Sequence, residues 1–278
     1  IMRKTESEKF AGAEFTYAIE LLMPNGKFIQ GPDFHHDGQK FSKVFNIQFL
    51  DKDGKNKYGW QNTWAITTRV LGVLFAVHGD DKGVVLPPKI APIQIAIIPI
   101  YDNDTKKKVL AEAEKLKKSL EDEFSVYLDD RDIYTPGWKF NEWEIKGAPL
   151  RFEIGPRDIE AKQITIARRD ISEKMVLGKN KINAKEVQKL LDKIQDNLFR
   201  KAQKFLETAR VHASKYAELK GILAKGFAKT GWCGAEACET KVRSEFDAKI
   251  YILDEKAKGG CIVCGKKARA MVYVAKSY

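Results

Sequence analysis

The chain has 278 residues, 44% of them hydrophobic, and a formal net charge of +11. The apolar share is ordinary for a globular protein of one to three domains, and the excess of lysine and arginine favours a polyanionic partner. No apolar run approaches the ~20 residues of a membrane helix, and the opening IMRKTESEKF lacks the apolar core of a signal peptide. A cytoplasmic protein without a membrane partner is therefore expected, and Ile1 in place of Met points to a natural start further upstream.

In chain order, Glu14 to Leu22 reads as a strand, Pro24-Asn25-Gly26 as its turn, and Lys27 to Gln30 as the returning strand. A two-stranded unit is marginal in water, so the hairpin is expected to lie against further strands. The next stretch, GPDFHHDGQ from Gly31 to Gln39, is dense in His and Asp. Adjacent His35 and His36 point to opposite sides of an extended segment, which favours a substrate loop over a shared metal. From Trp60 the chain alternates as a strand, and Thr67 to His78 is a helix-length run that is apolar on nearly every side and is expected to be buried. Arg69 stands at its start, where a guanidinium needs an anionic partner. The residues alone favour a structural ion pair with a carboxylate elsewhere, and a bound anion is the alternative.

Lys89 to Pro92 reads as a linker into QIAIIPIY, a continuous apolar strand of the kind buried on both faces. A helix from Lys106 to Phe124 sets Val109, Leu110, Ala113, Leu116 and Leu120 on one face, capped by Asp104 or Thr105. A strand at Val126 to Leu128, a short helix at Trp138 to Lys146, a strand at Leu150 to Ile154, a turn at Gly155 to Asp158 and a strand at Gln163 to Arg168 follow. That order predicts a small mixed sheet with helices on its faces. Glu144, Arg151 and Asp158 read as ordinary surface charges by pattern alone.

From Asn183 to about Tyr216, Val187, Leu190, Leu191, Ile194, Leu198 and Phe205 recur at helical spacing, which predicts a structural connector helix. The only cysteines are Cys233, Cys238, Cys261 and Cys264, spaced C-x4-C-x22-C-x2-C. Two close pairs, with no secretory signal, fit four thiolates on a tetrahedral Zn2+ better than disulfides. With no fifth cysteine or neighbouring His, the site reads as closed and structural. Four free buried thiols are the alternative.

Several segments carry a resemblance: Gln30-Gly31, His35, Gly38-Gln39, Phe41-Ser42; Thr67-Thr68-Arg69 with His78-Gly79-Asp80-Asp81-Lys82-Gly83 and Leu86-Pro87-Pro88; Asp130-Arg131-Asp132, Tyr134 to Phe140, Trp143 to Gly147, Gly155 to Asp158; and Lys276-Ser277-Tyr278. Over the whole chain these resemble the C-terminal portion of prolyl-tRNA synthetases of the archaeal and eukaryotic-cytoplasmic type. The Trp60 to Pro88 stretch, a strand followed by Thr67-Thr68-Arg69 opening a helix, looks like the third signature motif of class II synthetases. By that resemblance Arg69, Thr67 and Gln30 serve ATP, while His35, Thr63, Trp64 and Asp33 line the proline and adenylate pocket. Phe140 would stack on a base, and Glu144, Arg151, Asp158 and Lys174 would contact the anticodon. Carboxylates accept from guanine N1 and N2, and arginine donates to O6 and N7. Many members of the type also end in a zinc-binding domain whose C-terminus docks toward the active site.

The chain departs from the family loop Gln-Gly-Gly-Thr-Ser-His-x-Leu-Gly-Gln. Asp33 and Phe34 replace Thr-Ser, Asp37 replaces Leu, and Ala65 stands where glycine is usual. A divergent lineage that still uses proline is favoured, with an altered amino acid preference as the alternative. The family's first motif, which builds the dimer interface, and its second, which supplies another ATP-binding arginine, have no counterpart here. The chain alone is thus expected not to activate an amino acid, and homodimerisation is expected through the missing N-terminal part.

The resemblance implies an α/β and α+β multidomain protein: the end of a class II antiparallel catalytic domain at 1–88, an α/β anticodon-binding domain at 89–175, and a helical connector with a small zinc-binding domain at 176–278. It implies a proline–tRNA ligase that joins proline to ATP with Mg2+ as prolyl-adenylate and passes the acyl group to proline tRNA, with no protein nucleophile. Alternatives are a noncatalytic tRNA-binding paralogue, half of a split synthetase, or an unrelated zinc-ribbon nucleic-acid protein.

Overall fold

In the computed structural model, which describes residues 1–278, β1 (Met2–Lys4) pairs antiparallel with β2 (Phe15–Leu22), and β2 with β3 (Phe28–Gly38). Gly26 closes the β2–β3 turn at φ 81°, a conformation cheap only for glycine. α1 (Lys40–Val44), the hairpin β4 (Gln48–Leu50) and β5 (Asn56–Tyr58), β6 (Gln61–Ala65) and α2 (Arg69–His78) follow. The His- and Asp-rich stretch expected as a loop is strand, because β3 is paired on both edges, with β2 and with β6. Continuing the ladder satisfies backbone groups that a loop at this place would leave open. The expected burial of α2 is not found: only Val73 is buried, and Leu71 and Phe75 stay 49% and 45% exposed. A helix apolar all round needs neighbours on every side, and in this chain only the Val73 side has them.

The apolar run becomes β7 (Ile95–Pro99), buried throughout. α3 (Lys106–Lys118), β8 (Val126–Leu128), α4 (Pro136–Ile145), β9 (Leu150–Ile154), α5 (Pro156–Glu160), β10 (Gln163–Arg168), β11 (Glu173–Gly178) and α6 (Ala184–Ala209) follow. The sheet runs β11-β10-β9-β7-β8, with β7 parallel to β8 and β9, and β10 antiparallel to β9 and β11. Alternation along β7 divides the core. Ile95 and Ile97 join Val109, Ala113 and Leu116 of α3 and Val187, Leu191 and Ile194 of α6, whereas Ala96 and Ile98 join Trp143 of α4. The α6 stripe is thus part of this core, and the same helix carries the chain past Lys204 out of this unit, as expected of a connector with one packed face. β11 was not expected from the sequence, and the turn at 155–158 tightens into α5.

After α6 come β12 (Arg210–His212), α7 (Glu218–Ile222), β13 (Phe227–Trp232), α8 (Glu236–Phe246), β14 (Ala248–Ile252) and β15 (Ala270–Lys276). The helix ends at Ala209, short of the expected Tyr216, because the chain turns extended to pair β12 with β13. These strands join the N-terminal ones in one eight-stranded sheet, β12-β13-β15-β14-β1-β2-β3-β6. Its seam is β1 on β14, with Arg3 opposite Ile252, over a shared core of Phe28, Phe227, Tyr251 and Met271. Across the same seam, buried Glu239 of α8 accepts from Thr5 at 2.6 Å and Ser7 at 2.7 Å.

The chain accordingly divides into two compact units, Ile1–Val73 with Phe205–Tyr278, and Leu74–Lys204. These do not follow the expected boundaries at 88 and 175, because the β1–β14 ladder unites the first and last expected domains. No helix is long and apolar enough to cross a membrane.

Candidate functional site

In the α/β unit, Ala167 of β10 lies opposite both Arg151 of β9 and Lys174 of β11. A small residue between two long cations leaves a hollow of about 210 Å3, lined by Lys82, Glu144, Arg151, Arg168 and Lys174 among others. Arg151 is nearly buried, and its Nε and Nη2 both donate to Glu153 Oε1, at 3.1 and 3.0 Å. Its Nη1 donates to the Phe140 carbonyl at 3.2 Å and to Glu144 Oε1 at 3.1 Å. Four bonds from five N–H donors leave one free, so Arg151 is first of all a brace that aims Glu144. Lys174 Nζ donates to Glu153 Oε2 at 2.8 Å, and the Phe140 ring lies 4.4 Å from the Arg151 guanidinium and 5.1 Å from Lys174 Nζ. Four of the five predicted anticodon residues thus converge. Asp158 does not join them: its carboxylate accepts from Gly155 N–H at 3.0 Å and Thr165 Oγ1 at 3.3 Å, holding the start of α5. Arg131 and Trp143 serve the fold, both donating to the buried Asp129 carboxylate at 2.8 and 3.0 Å.

On the eight-stranded sheet, period 2 sets Asp33, His35 and Asp37 on one face of β3, with Ala65 opposite Asp33 and Thr63 opposite His35 on β6. Gln30 Nε2 donates to Asp33 Oδ2 at 2.6 Å, and His35 Nε2 lies 3.4 Å from the same oxygen. His35 Nδ1 shares a 2.9 Å hydrogen bond with Thr16, and Thr63 donates to Asp37 Oδ2 at 2.9 Å. The second oxygens of Asp33 and Asp37 are buried without a partner. An unpaired buried acceptor costs about 1–3 kcal/mol, so each is an open invitation to a donor. Trp64 faces the opposite way, 4.4 Å from Phe34 and 78% exposed, apart from Thr63 and His35. Thr67 Oγ1 accepts from the Arg69 N–H at 3.4 Å at the start of α2, and Arg69 Nη1 donates to the Gln30 carbonyl at 3.1 Å. That is the only bond of the exposed Arg69 guanidinium, so the ion pair expected from the residues alone is absent.

The four cysteine sulfurs lie within 4.8 Å of one another, and they form the one group of three or more such side chains placed to hold a metal ion. Cys233 is 3.7 Å from both Cys238 and Cys264, far beyond a disulfide bond. A tetrahedron with Zn–S bonds of ~2.3 Å sets its sulfurs ~3.8 Å apart, so the donor set fits that ion. Burial and neighbouring thiols push Cys238 up to about 12. Burial opposes ionisation of Cys261 too, yet the amides of Cys264, Val263 and Cys233 bring it down to about 7. Holding all four as thiolates in this space would require a cation.

Residues 94–197 match the family described as an anticodon binding domain, and residues 216–278 match prolyl-tRNA synthetase, C-terminal. A proline–tRNA ligase of Natranaerobius thermophilus is 46% identical over 266 residues, 94% of this chain and 55% of that protein. Those of Alkaliphilus oremlandii and Clostridium botulinum (strain Loch Maree) are 43% and 44% identical over 100% and 99% of this chain, and 58% of each protein. The chain belongs to the prolyl-tRNA synthetase family. It is a C-terminal portion, spanning just over half the length of these relatives.

In this member of the synthetase family the turn after α2 is tied to the anticodon-binding domain. Arg169, 3% exposed, donates through both Nη atoms to Asp80, at 2.5 and 2.6 Å, and through Nε to the Glu144 carbonyl at 3.0 Å. The Arg169 hydrogen bonds, opposed by burial and helped by the Lys82 amide, hold Asp80 down to about 2. Folded Asp80 titrates below the ordinary 3.8, so its stabilisation is complete above that value and is lost as pH falls toward 2. An Asp80→Asn variant is expected to melt below wild type at neutral pH, and the gap should close steadily as both are scanned toward about pH 2.5. A gap independent of pH would mean that the ion pair does not stabilise the fold.

Sequence reasoning missed Glu153 and Lys82 as site residues. Two opposite charges at Arg151 and Glu153, on one face of an otherwise apolar strand, were the available signal for Glu153. Nothing local marked Lys82, which lines the hollow because its segment is held there by the Asp80–Arg169 pair and by Val84 N–H donating to the Ile145 carbonyl at 3.1 Å.

Proposed function

We propose that the chain supplies the anticodon-reading portion and the last part of the class II catalytic domain of a cytoplasmic proline–tRNA ligase, which charges proline tRNA through prolyl-adenylate with ATP and Mg2+. The observation that carries this reading is the hollow walled by Glu144, Arg151 and Lys174 with Phe140 beneath the cations, inside a segment that matches an anticodon binding domain. Glu144, braced by Arg151, accepts from the N1 and N2 groups of an anticodon guanine. Lys174 and the remaining Arg151 donor serve its O6 and N7, and Phe140 offers a stacking face. Asp158 acts only by holding α5. The test offers proline tRNA and the same tRNA with either shared anticodon guanine replaced: the first should bind tighter, and equal binding would refute the assignment.

Arg69, Thr67 and Gln30 form the proposed ATP end of the pocket, and Asp33, His35 and Thr63 its amino-acid end. The free oxygen of Asp33 is suited to accept from a substrate ammonium group. Trp64, on the opposite face, contributes through Phe34 and the position of β6. The four cysteines hold one structural Zn2+, which supplies folding free energy and no reactive position. Homodimerisation rests with segments of the relatives beyond this chain.

In a polypeptide that also carries the remaining length of the relatives, Arg69→Ala is expected to slow proline-dependent ATP–pyrophosphate exchange by about 3 kcal/mol in transition-state terms, roughly 100-fold. Melting should shift by no more than the ~0.5 kcal/mol typical of surface positions, since one exposed hydrogen bond is lost. Normal exchange with a large loss of stability would instead assign Arg69 to the fold.

A further inference from the structure

Beside the four cysteines lies a cleft that, apart from Cys233 on its rim, none of the roles above uses. It encloses about 600 Å3 and is lined by Cys233, Gly234, Ala235 and residues 266–269. Lys266, Lys267 and Arg269 are all exposed, and none forms an ion pair or a side-chain hydrogen bond. Lys229, Lys241, Arg243 and Lys249 of the same unit, by contrast, each pair with a carboxylate. No acidic residue lines the cleft to neutralise the three cations. Like charges converging on a concave surface raise the local potential and favour a polyanion.

The cations are also held in place. Lys266 O accepts from Cys261 N at 2.7 Å and Ala268 N donates to Gly259 O at 3.0 Å, fastening the segment to residues 259–261, and Arg269 N donates to Trp232 O at 2.8 Å, at the end of β13. Gly234 adopts φ 85°, and a side chain there would meet the Arg269 stem at 3.6 Å. No aromatic side chain lines the cleft, so it has no face on which to stack a base. Its chemistry is that of a phosphate reader, which fixes position and carries no sequence information.

We infer that this cleft is a second RNA contact, holding phosphates of the tRNA backbone away from the anticodon. The inference rests on the tRNA-binding reading above and extends it to a surface that no anticodon residue shares.

The experiment uses the whole chain and measures tRNA affinity across a salt series for wild type and for Lys266→Ala, Lys267→Ala, Arg269→Ala combined. Removing about three phosphate contacts should lower the slope of log affinity against log salt by about 2, and weaken binding about tenfold or more at low salt. The loss should be equal for proline tRNA and its anticodon-replaced form, with the preference between them kept. An unchanged slope and affinity in a folded variant that keeps its metal would overturn the inference. So would a loss confined to heparin or anionic vesicles with tRNA binding intact. Failure of the anticodon reading looks different: wild type and variant would each bind both tRNAs equally, with the slope still reduced in the variant. Should the triple variant misfold, Lys267→Glu alone, at an exposed position, should reduce the slope and affinity in the same direction, and no change would overturn the inference.

Discussion

Replacing Cys261 by serine is expected to release the proposed zinc and unravel the C-terminal part of the eight-stranded sheet. Cys261 is 3% exposed and packs in one core with Trp232, Cys238 and Val272, so a lost ligand frees the ion and opens that core. The cost should be on the order of 3–5 kcal/mol, below the ~10 kcal/mol or more that zinc gives a finger peptide. The difference arises because Ala228, Ile250, Val272 and Val274 keep apolar contacts of their own. Metal analysis should find one zinc per wild-type chain and none in the variant. Hydrogen exchange should lose protection in β13 and β15 while β7 and β9 stay protected, and anticodon discrimination should largely survive. Wild-type protein without zinc, or with all four thiols freely reactive while folded, would reject the metal site.

Glu144→Gln is expected to lower discrimination between proline tRNA and a guanine-replaced tRNA by about 1–3 kcal/mol, roughly 5- to 150-fold, because an amide presents one acceptor where the carboxylate presents two. The fold should tolerate it, since the Glu144 side chain is 28% exposed. Arg151→Ala should erase the same preference and destabilise as well. It strands Glu153, 7% exposed, with only Lys174 as counter-charge, and breaking a buried pair costs about 3–5 kcal/mol. Both variants should keep most of the salt-dependent affinity, which the remaining cations supply. Unaltered discrimination in folded Glu144→Gln would take guanine reading away from this hollow.

Much of this protein was legible along the chain because the signals act within a few residues. The apolar run at β7 and the α3 stripe follow from periods of 2 and 3.6. The cysteine spacing carried the four-sulfur cluster, since a tetrahedral donor set needs two close pairs and little else. The opposed faces of Thr63 and Trp64 were also implicit in strand period, though the resemblance grouped the two. Tertiary structure alone decided the rest. That β3 is a strand depends on β6 reaching its second edge, and that residues 2–4 complete a sheet with residues 248–252 depends on a pairing no local pattern encodes. Backbone donors and acceptors are the same at every residue, so strand partners far apart in sequence leave no mark on it. The same holds for charge. Whether Arg69 stands free, Arg169 is tied to Asp80, and Arg151 braces Glu144 depends on which carboxylate the fold brings within reach.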